Sequence, residues 1–305
     1  MPFAAPRMVE TSVFARLPER YKDADERNEW VAGQPLGMPH ASLLEGPSFD
    51  REGNLWCVDV PGGRVFKVGR DGAFDLVAEY DGWPNGLKFH RDGRIFIADY
   101  KHGIMLLDPA SGAVTPCLVR AGLERFKGVN DLFFAANGDL YFTDQGLTGL
   151  HDPTGRVFRM RADGEVSCLL DNVPSPNGLV MNRDETALYL AVTRGNCVWR
   201  VPFLRNGEVA KVGVYLQLSG GGGPDGLALD EQGRLAVAHV GMGTVWIFDG
   251  LGEPVYRVRS CMGAFTTNAA FGWPDRNTLY ITESESGTIL RAELDAPGKL
   301  MYSHA

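Results

Sequence analysis

Short runs of Val, Ile, Leu, Tyr and Phe recur along most of the chain, and each stops at a turn containing Gly, Asn or Asp. Aligned on those turns, six segments fall into register: EGPSFDREGNLWCVD, NGLKFHRDGRIFIAD, NDLFFAANGDLYFTD, NGLVMNRDETALYLAV, DGLALDEQGRLAVAH and NAAFGWPDRNTLYITE. They begin at Glu45, Asn85, Asn130, Asn177, Asp225 and Asn268, so successive starts lie 40, 45, 47, 48 and 43 residues apart. Each segment reads as strand, tight turn and strand, and further alternating stretches follow, among them GRVFKVG, GIMLLDP, GTVWIFD and GTILRAE. A repeat of this length holding about four strands predicts one blade of a propeller. The expected fold is all-β, a six-bladed β-propeller with four-stranded blades over residues 43–298, within a single domain of 1–305.

A ring of blades has to close, or it leaves an unpaired strand edge. Residues 10–17 (ETSVFARL) alternate well enough to supply an outer strand to the last blade. Residues 18–39 are polar and charged, and predict a short helix or a loop lying over the ring. Residues 1–42 are therefore expected to form a closing strand and a covering segment.

The spacing inside each repeat bears on chemistry. Fourteen residues separate Glu45 from Asp59, Asn85 from Asp99, Asn130 from Asp144 and Asp225 from His239. A strand, a turn and a returning strand bring the chain back to its starting level, so repeat starts and returning-strand ends share one face of the ring. The first strand of a blade lines the channel, and the polar residues that begin it converge there. At any one position Asn or Asp at a strand start serves to cap a turn. Six together, two of them acidic, point instead to a shared site. Two carboxylates in one channel repel and are held protonated by burial, a conflict that a cation removes. Oxygen-only donors suit a hard ion such as Ca²⁺ or Mg²⁺, with Ca²⁺ tolerating a flexible ring better; Zn²⁺ usually takes His or Cys.

Composition narrows the field further. The chain has 30 basic and 38 acidic residues, a formal charge of −8, and no basic tract, which excludes phosphate-dominated nucleic-acid binding. No apolar run approaches the roughly 20 residues of a membrane span, and the first residues do not read as a secretory signal. Five cysteines without a C-x-x-C pair read as reduced, mostly buried thiols, and suggest a cytoplasmic protein. The glycine run at 220–223 has no following Lys-Ser/Thr and is not a phosphate loop.

LEGPSFDREGNLWCVD, GVNDLFFAANGDLYFTD, SPNGLVMN and GGPDGLALD resemble segments of the senescence-marker-protein/gluconolactonase/luciferin-regenerating-enzyme family, over residues 43 to about 298. The resemblance implies a propeller with a divalent metal, often Ca²⁺, in the channel; Mg²⁺, Mn²⁺ and Zn²⁺ are the other candidates. It also implies the ligand set Glu45, Asn130, Asn177 and Asp225, each matching the family in residue type. Asn85 and Asn268 are then expected to serve the pocket, contacting substrate or supporting the ligands. Arg125, five residues before Asn130, departs from the closer Arg–Asn spacing of some sugar lactonases of the family.

The expected activity is hydrolysis of a small lactone, with the metal polarising the carbonyl. Asp225 is the expected catalytic residue, as base or nucleophile. His239 is a candidate substrate contact, and His40 and His151 are weaker candidates at the mouth. Hydrolysis of a phosphotriester or another ester on the same site and a non-catalytic metal-binding propeller are the alternatives.

Overall fold

A computed structural model describes residues 4–38 and 41–305. Among them, six small sheets follow one another along the chain, each folded from its first strand outward. The first strands are Leu44–Phe49, Pro84–Phe89, Val129–Phe134, Pro176–Met181, Gly223–Leu229 and Thr266–Phe271. Each of these touches the first strand of the next blade, and the sixth touches the first, which closes a six-bladed β-propeller. Inner strands are buried on both faces because a neighbouring blade covers each side. That is why Leu44–Phe49 and Leu140–Asp144 read as unbroken buried runs. Between blades one and two, for example, Trp56, Val58, Val65, Leu87, Ile97 and Met105 form one apolar cluster.

Blade six is finished by the start of the chain. Ser12–Arg16 pairs antiparallel with Thr288–Glu293, as the alternation in residues 10–17 predicts. One element is new relative to that expectation. Arg7–Glu10 runs parallel along Pro254–Arg259 and adds a fifth strand to blade five. The outer edge of that blade is thereby covered rather than left open to other chains.

Residues 18–38 form a 3₁₀ turn, Glu19–Tyr21, and one helical turn, Glu29–Ala32. Asn28 caps that turn by accepting from the Trp30 and Val31 amides at 2.9 and 3.3 Å. Trp30 packs with Leu43 and Val60, and the Arg64 guanidinium grips both Asp23 oxygens at 2.7 Å. The segment is thus pinned to blade one. The cysteine expectation needs correction. All five thiols are free, but only Cys57 and Cys197 are buried; Cys117 and Cys168 lie on outermost strands, where one face meets solvent, and Cys261 is also exposed. No helix among the described residues is long and apolar enough to cross a membrane.

Candidate functional site

In all six blades the ladder between the first and second strands slips at the repeat start. The irregularities fall at Glu45/Ser48, Pro84/Gly86, Val129/Leu132, Pro176/Leu179, Pro224/Leu227 and Thr266/Asn268. A bulge re-aims the side chain it carries, and here it does so at or beside each of the six repeat-start residues. Glycine follows four of them and lets adjacent inner strands approach closely. A Cβ on Gly178 would stand 2.4 Å from the Asp225 carbonyl oxygen, and one on Gly46 2.8 Å from that of Asn85.

The ends of the returning strands hold this geometry. Asp59 accepts the Leu43 amide at 2.8 Å, Asp99 the Trp83 amide at 3.1 Å and Asp144 the Gly128 amide at 2.8 Å. Each bonded amide lies two residues before a ring residue: Glu45, Asn85 or Asn130. In blade four a backbone bond does the same work, from the Thr193 amide to the Ser175 carbonyl at 3.0 Å.

Glu45, Asn85, Asn130, Asn177 and Asp225 line one cavity of about 920 Å³. The walls above them come from the first covering segment (Trp30, Gln34, Pro35, Met38) and from the loop after Asp144 (Leu147, Leu150). Glu45 and Asn130 are buried, whereas Asp225 keeps some surface open to the cavity. Burial in the ring lifts the Glu45 carboxyl to about 7, although Asn268 and the Gly46 amide hydrogen-bond its charged form. Asp225 is pushed well above the usual carboxylate range, by burial first and then by the charges of Glu45 and Asp131.

Neighbours fix how the amides face. The Asn130 Nδ2 donates to Gln145 Oε1 at 3.0 Å, and Gln145 Nε2 donates to Ser175 Oγ at 2.9 Å. The Asn130 amide nitrogen is engaged in the wall, which leaves its oxygen to other partners. Asn177 hydrogen-bonds Asp225. Asn85 has no side-chain hydrogen bond to a described residue, and its amide is open to the cavity.

Asn268 takes the supporting one of its two expected roles rather than that of a substrate contact, and His239 meets a different arrangement from the one expected. Asn268 is not on the cavity wall; its Nδ2 donates to Glu45 Oε2 at 2.9 Å from behind. His239 is buried away from the cavity, with Nε2 3.0 Å from the Gly220 carbonyl and Nδ1 accepting from Trp246 at 3.3 Å. Burial lowers its pKa, so the neutral ring joins blade five to the preceding loop in the manner of the strand-end carboxylates. His151 does line the cavity mouth. His40 lies outside the described residues.

Sequence reasoning missed three groups. Asp131 is a buried carboxylate next to Asn130 that lines not this cavity but the small pocket at the opposite end of the inner strands; burial raises its pKa against the opposing pull of Lys88. Its signal was local: residue 131 is an Asp where four other repeats carry Gly. Gln145 and Arg194 do line the cavity, and both follow returning-strand ends, outside the aligned segments.

Comparison with known proteins places this geometry. Residues 43–285 match the family model described as SMP-30/Gluconolactonase/LRE-like region. Lactonase drp35 of Staphylococcus haemolyticus is 30% identical over 230 residues, covering 70% of this chain and 69% of that protein. The Staphylococcus epidermidis protein of the same name is 29% identical over 242 residues, covering 75% and 72%. Among solved structures, a regucalcin from Agrobacterium tumefaciens, described as a calcium-binding protein, superposes with a TM-score of 0.76. It is 22% identical, with 99% of this chain and 100% of that one covered. A gluconolactonase from Xanthomonas campestris gives 0.74 at 22% identity, covering 97% and 99%. At these identities the structures speak to the fold alone, but the family model covers most of the chain, and the protein belongs to the SMP-30/gluconolactonase/LRE-like family.

Proposed function

We propose that this protein is a divalent-metal-dependent hydrolase that opens a small lactone, acting as a cytoplasmic enzyme on a soluble substrate. The observation that carries the reading is the convergence of Glu45, Asn130, Asn177 and Asp225 on one cavity in a chain of this family. The residues fit a hard cation. Two carboxylates disfavoured as neighbouring charges and two amides offer only oxygen donors, and the wall bond from Asn130 to Gln145 leaves an oxygen free. Glu45, Asn130, Asn177 and Asp225 would hold the ion, with Ca²⁺ the first candidate. When bound it supplies Lewis-acid polarisation of the substrate carbonyl.

The other steps belong to the chain's own side chains. Asp225 takes a proton from water as the water oxygen adds to the lactone carbon. The ring C–O bond then breaks, and the proton returns to the departing alkoxide, giving a hydroxy acid. Direct attack by the Asp225 carboxylate is the other route open to the same residue. Asn85 donates a hydrogen bond to the substrate, while Asn268 and Gln145 hold Glu45 and Asn130 in place. Residues 7–38 belong to the same unit, closing the ring and roofing the cavity.

The test is hydrolysis of aldonolactones, aliphatic lactones, aryl esters and phosphotriesters, with chelator and then with Ca²⁺ restored. Lactone opening that vanishes with chelator and returns with Ca²⁺ is expected. No lactone opened above the buffer rate at saturating Ca²⁺ would sink the reading.

A further inference from the structure

We propose that the substrate carries an anionic group, a carboxylate, and that Arg194 at the cavity mouth recognises it; this rests on the hydrolase reading above. Besides Tyr100, the ionisable side chains lining the cavity are Glu45, Asp225, His151 and Arg194. A divalent ion balances the two carboxylates, and the guanidinium is then left without a counter-charge. Arg194 is exposed and has no hydrogen bond or ion pair to any described residue. Arg64, Arg156 and Arg234, by contrast, each bind carboxylates within the fold.

Its backbone is not free to wander. Arg194 is the middle residue of the 3₁₀ turn Thr193–Gly195. Thr193 Oγ1 donates to the Pro224 carbonyl at 2.8 Å, its amide bonds Ser175, and Asn196 Nδ2 donates to the Gly220 carbonyl at 2.9 Å. Those bonds tie the turn to the residues just before Asn177 and Asp225. Arg194 therefore rises from the wall next to the floor where chemistry is expected, and its charge reaches Asp225. In a chain of net charge −8, Arg194, the one Lys or Arg among the described residues lining the cavity, offsets the field that repels anions. Guanidinium is also the side chain whose fork matches a carboxylate.

The experiment compares 5-oxotetrahydrofuran-2-carboxylate with its carboxamide, at saturating Ca²⁺, in wild type, Arg194→Gln, Arg194→Lys and Arg194→Glu. Wild type is expected to favour the acid in kcat/KM by about 10- to 100-fold, the scale of one charge-assisted hydrogen-bonded pair. Arg194→Gln should bring the ratio close to one, Arg194→Lys should keep part of it, and Arg194→Glu should invert it. A wild type without the preference, or a preference that survives Arg194→Gln because the acid sits on the ion, overturns the assignment. If neither compound is opened, the hydrolase reading fails first. Calorimetric binding of the same pair then decides the subsite: tighter acid binding lost in Arg194→Gln supports it, and equal binding overturns it.

Discussion

The two ends of the inner strands make opposite surfaces from the same repeat. At their starts stand Glu, Asn and Asp around a cavity of about 920 Å³. At their far ends Phe49, Phe133, Leu179, Leu229 and Phe271 leave only about 60 Å³. Residues 298–304 cross this second end. Lys299 bonds Glu185 at 2.8 Å, Arg276 holds the Gly298 carbonyl at 2.8 Å, Arg51 the Ser303 carbonyl at 2.9 Å, and His304 meets the Asp50 carbonyl at 3.2 Å. One end thus gathers carboxylates and amides around open space, and the other is packed with apolar side chains and crossed by residues 298–304. The contrast teaches where stability and chemistry part company along a single strand of six residues.

Four measurements would break or sharpen that contrast. The largest expected effect on stability is at the sealed end. Phe133→Ala should cost about 3–5 kcal/mol in urea unfolding, the range for a buried aromatic, while KM for the wild-type substrate changes little. A fall in activity without a fall in stability would show that the two ends are not separate. At the open end, Asp225→Asn should lower kcat by roughly 10² or more at saturating Ca²⁺ while unfolding stays cooperative. Wild-type turnover in that variant would leave Asp225 as a ligand only.

The third concerns pH. The Glu45 carboxyl is raised to about 7 in the folded chain, above its ordinary value of 4.5. Between those values the folded state binds more protons than the unfolded state, so ion-free stability falls as pH rises from about 4.5 through 7. Asp225, raised for the same reasons, adds to that slope. Saturating Ca²⁺ should flatten it and raise the melting temperature, because the proposed site would exist only in the folded ring. Equal slopes with chelator and with Ca²⁺, in denaturant titrations from pH 5 to 8, would remove the cation from the site. The smallest effect is Lys299→Met, which breaks a partly exposed ion pair with Glu185. A loss of about 1 kcal/mol or less is expected, with kcat/KM intact.

The blades were legible because turn residues and strand runs recur in the local sequence, and each blade is built from consecutive strands. Convergence of Glu45, Asn130, Asn177 and Asp225 was legible for the same reason: identical positions in a repeat occupy equivalent places in a ring. What escaped depends on how neighbouring blades meet. His239 shares a repeat position with Asp59 and Asp144, yet nothing in its own segment indicates that Gly220 and Trp246 would occupy both ring nitrogens. Asn268 matches the other ring residues by type but is turned toward Glu45 across the seam between blades six and one. Gln145 and Arg194 sit in loops whose courses the repeat does not dictate. The parallel strand Arg7–Glu10 was hidden because pairing with blade five joins residues some 250 positions apart.

That seam has a consequence for how the chain is made. Ser12–Arg16 is synthesised before any of the six blades, but its partner Thr288–Glu293 follows only after the first five. Until then, five blades stand as an open arc with a bare edge at each side, during which a neighbouring chain could lend the missing strand. Contacts of such long sequence separation also form late and slowly. Yield on the ribosome, rather than equilibrium stability, is then the property most sensitive to residues 12–16. Joining the two sides through a different connection, so that all four strands of blade six are consecutive, should speed refolding and reduce exchange of strands between molecules, without touching the cavity.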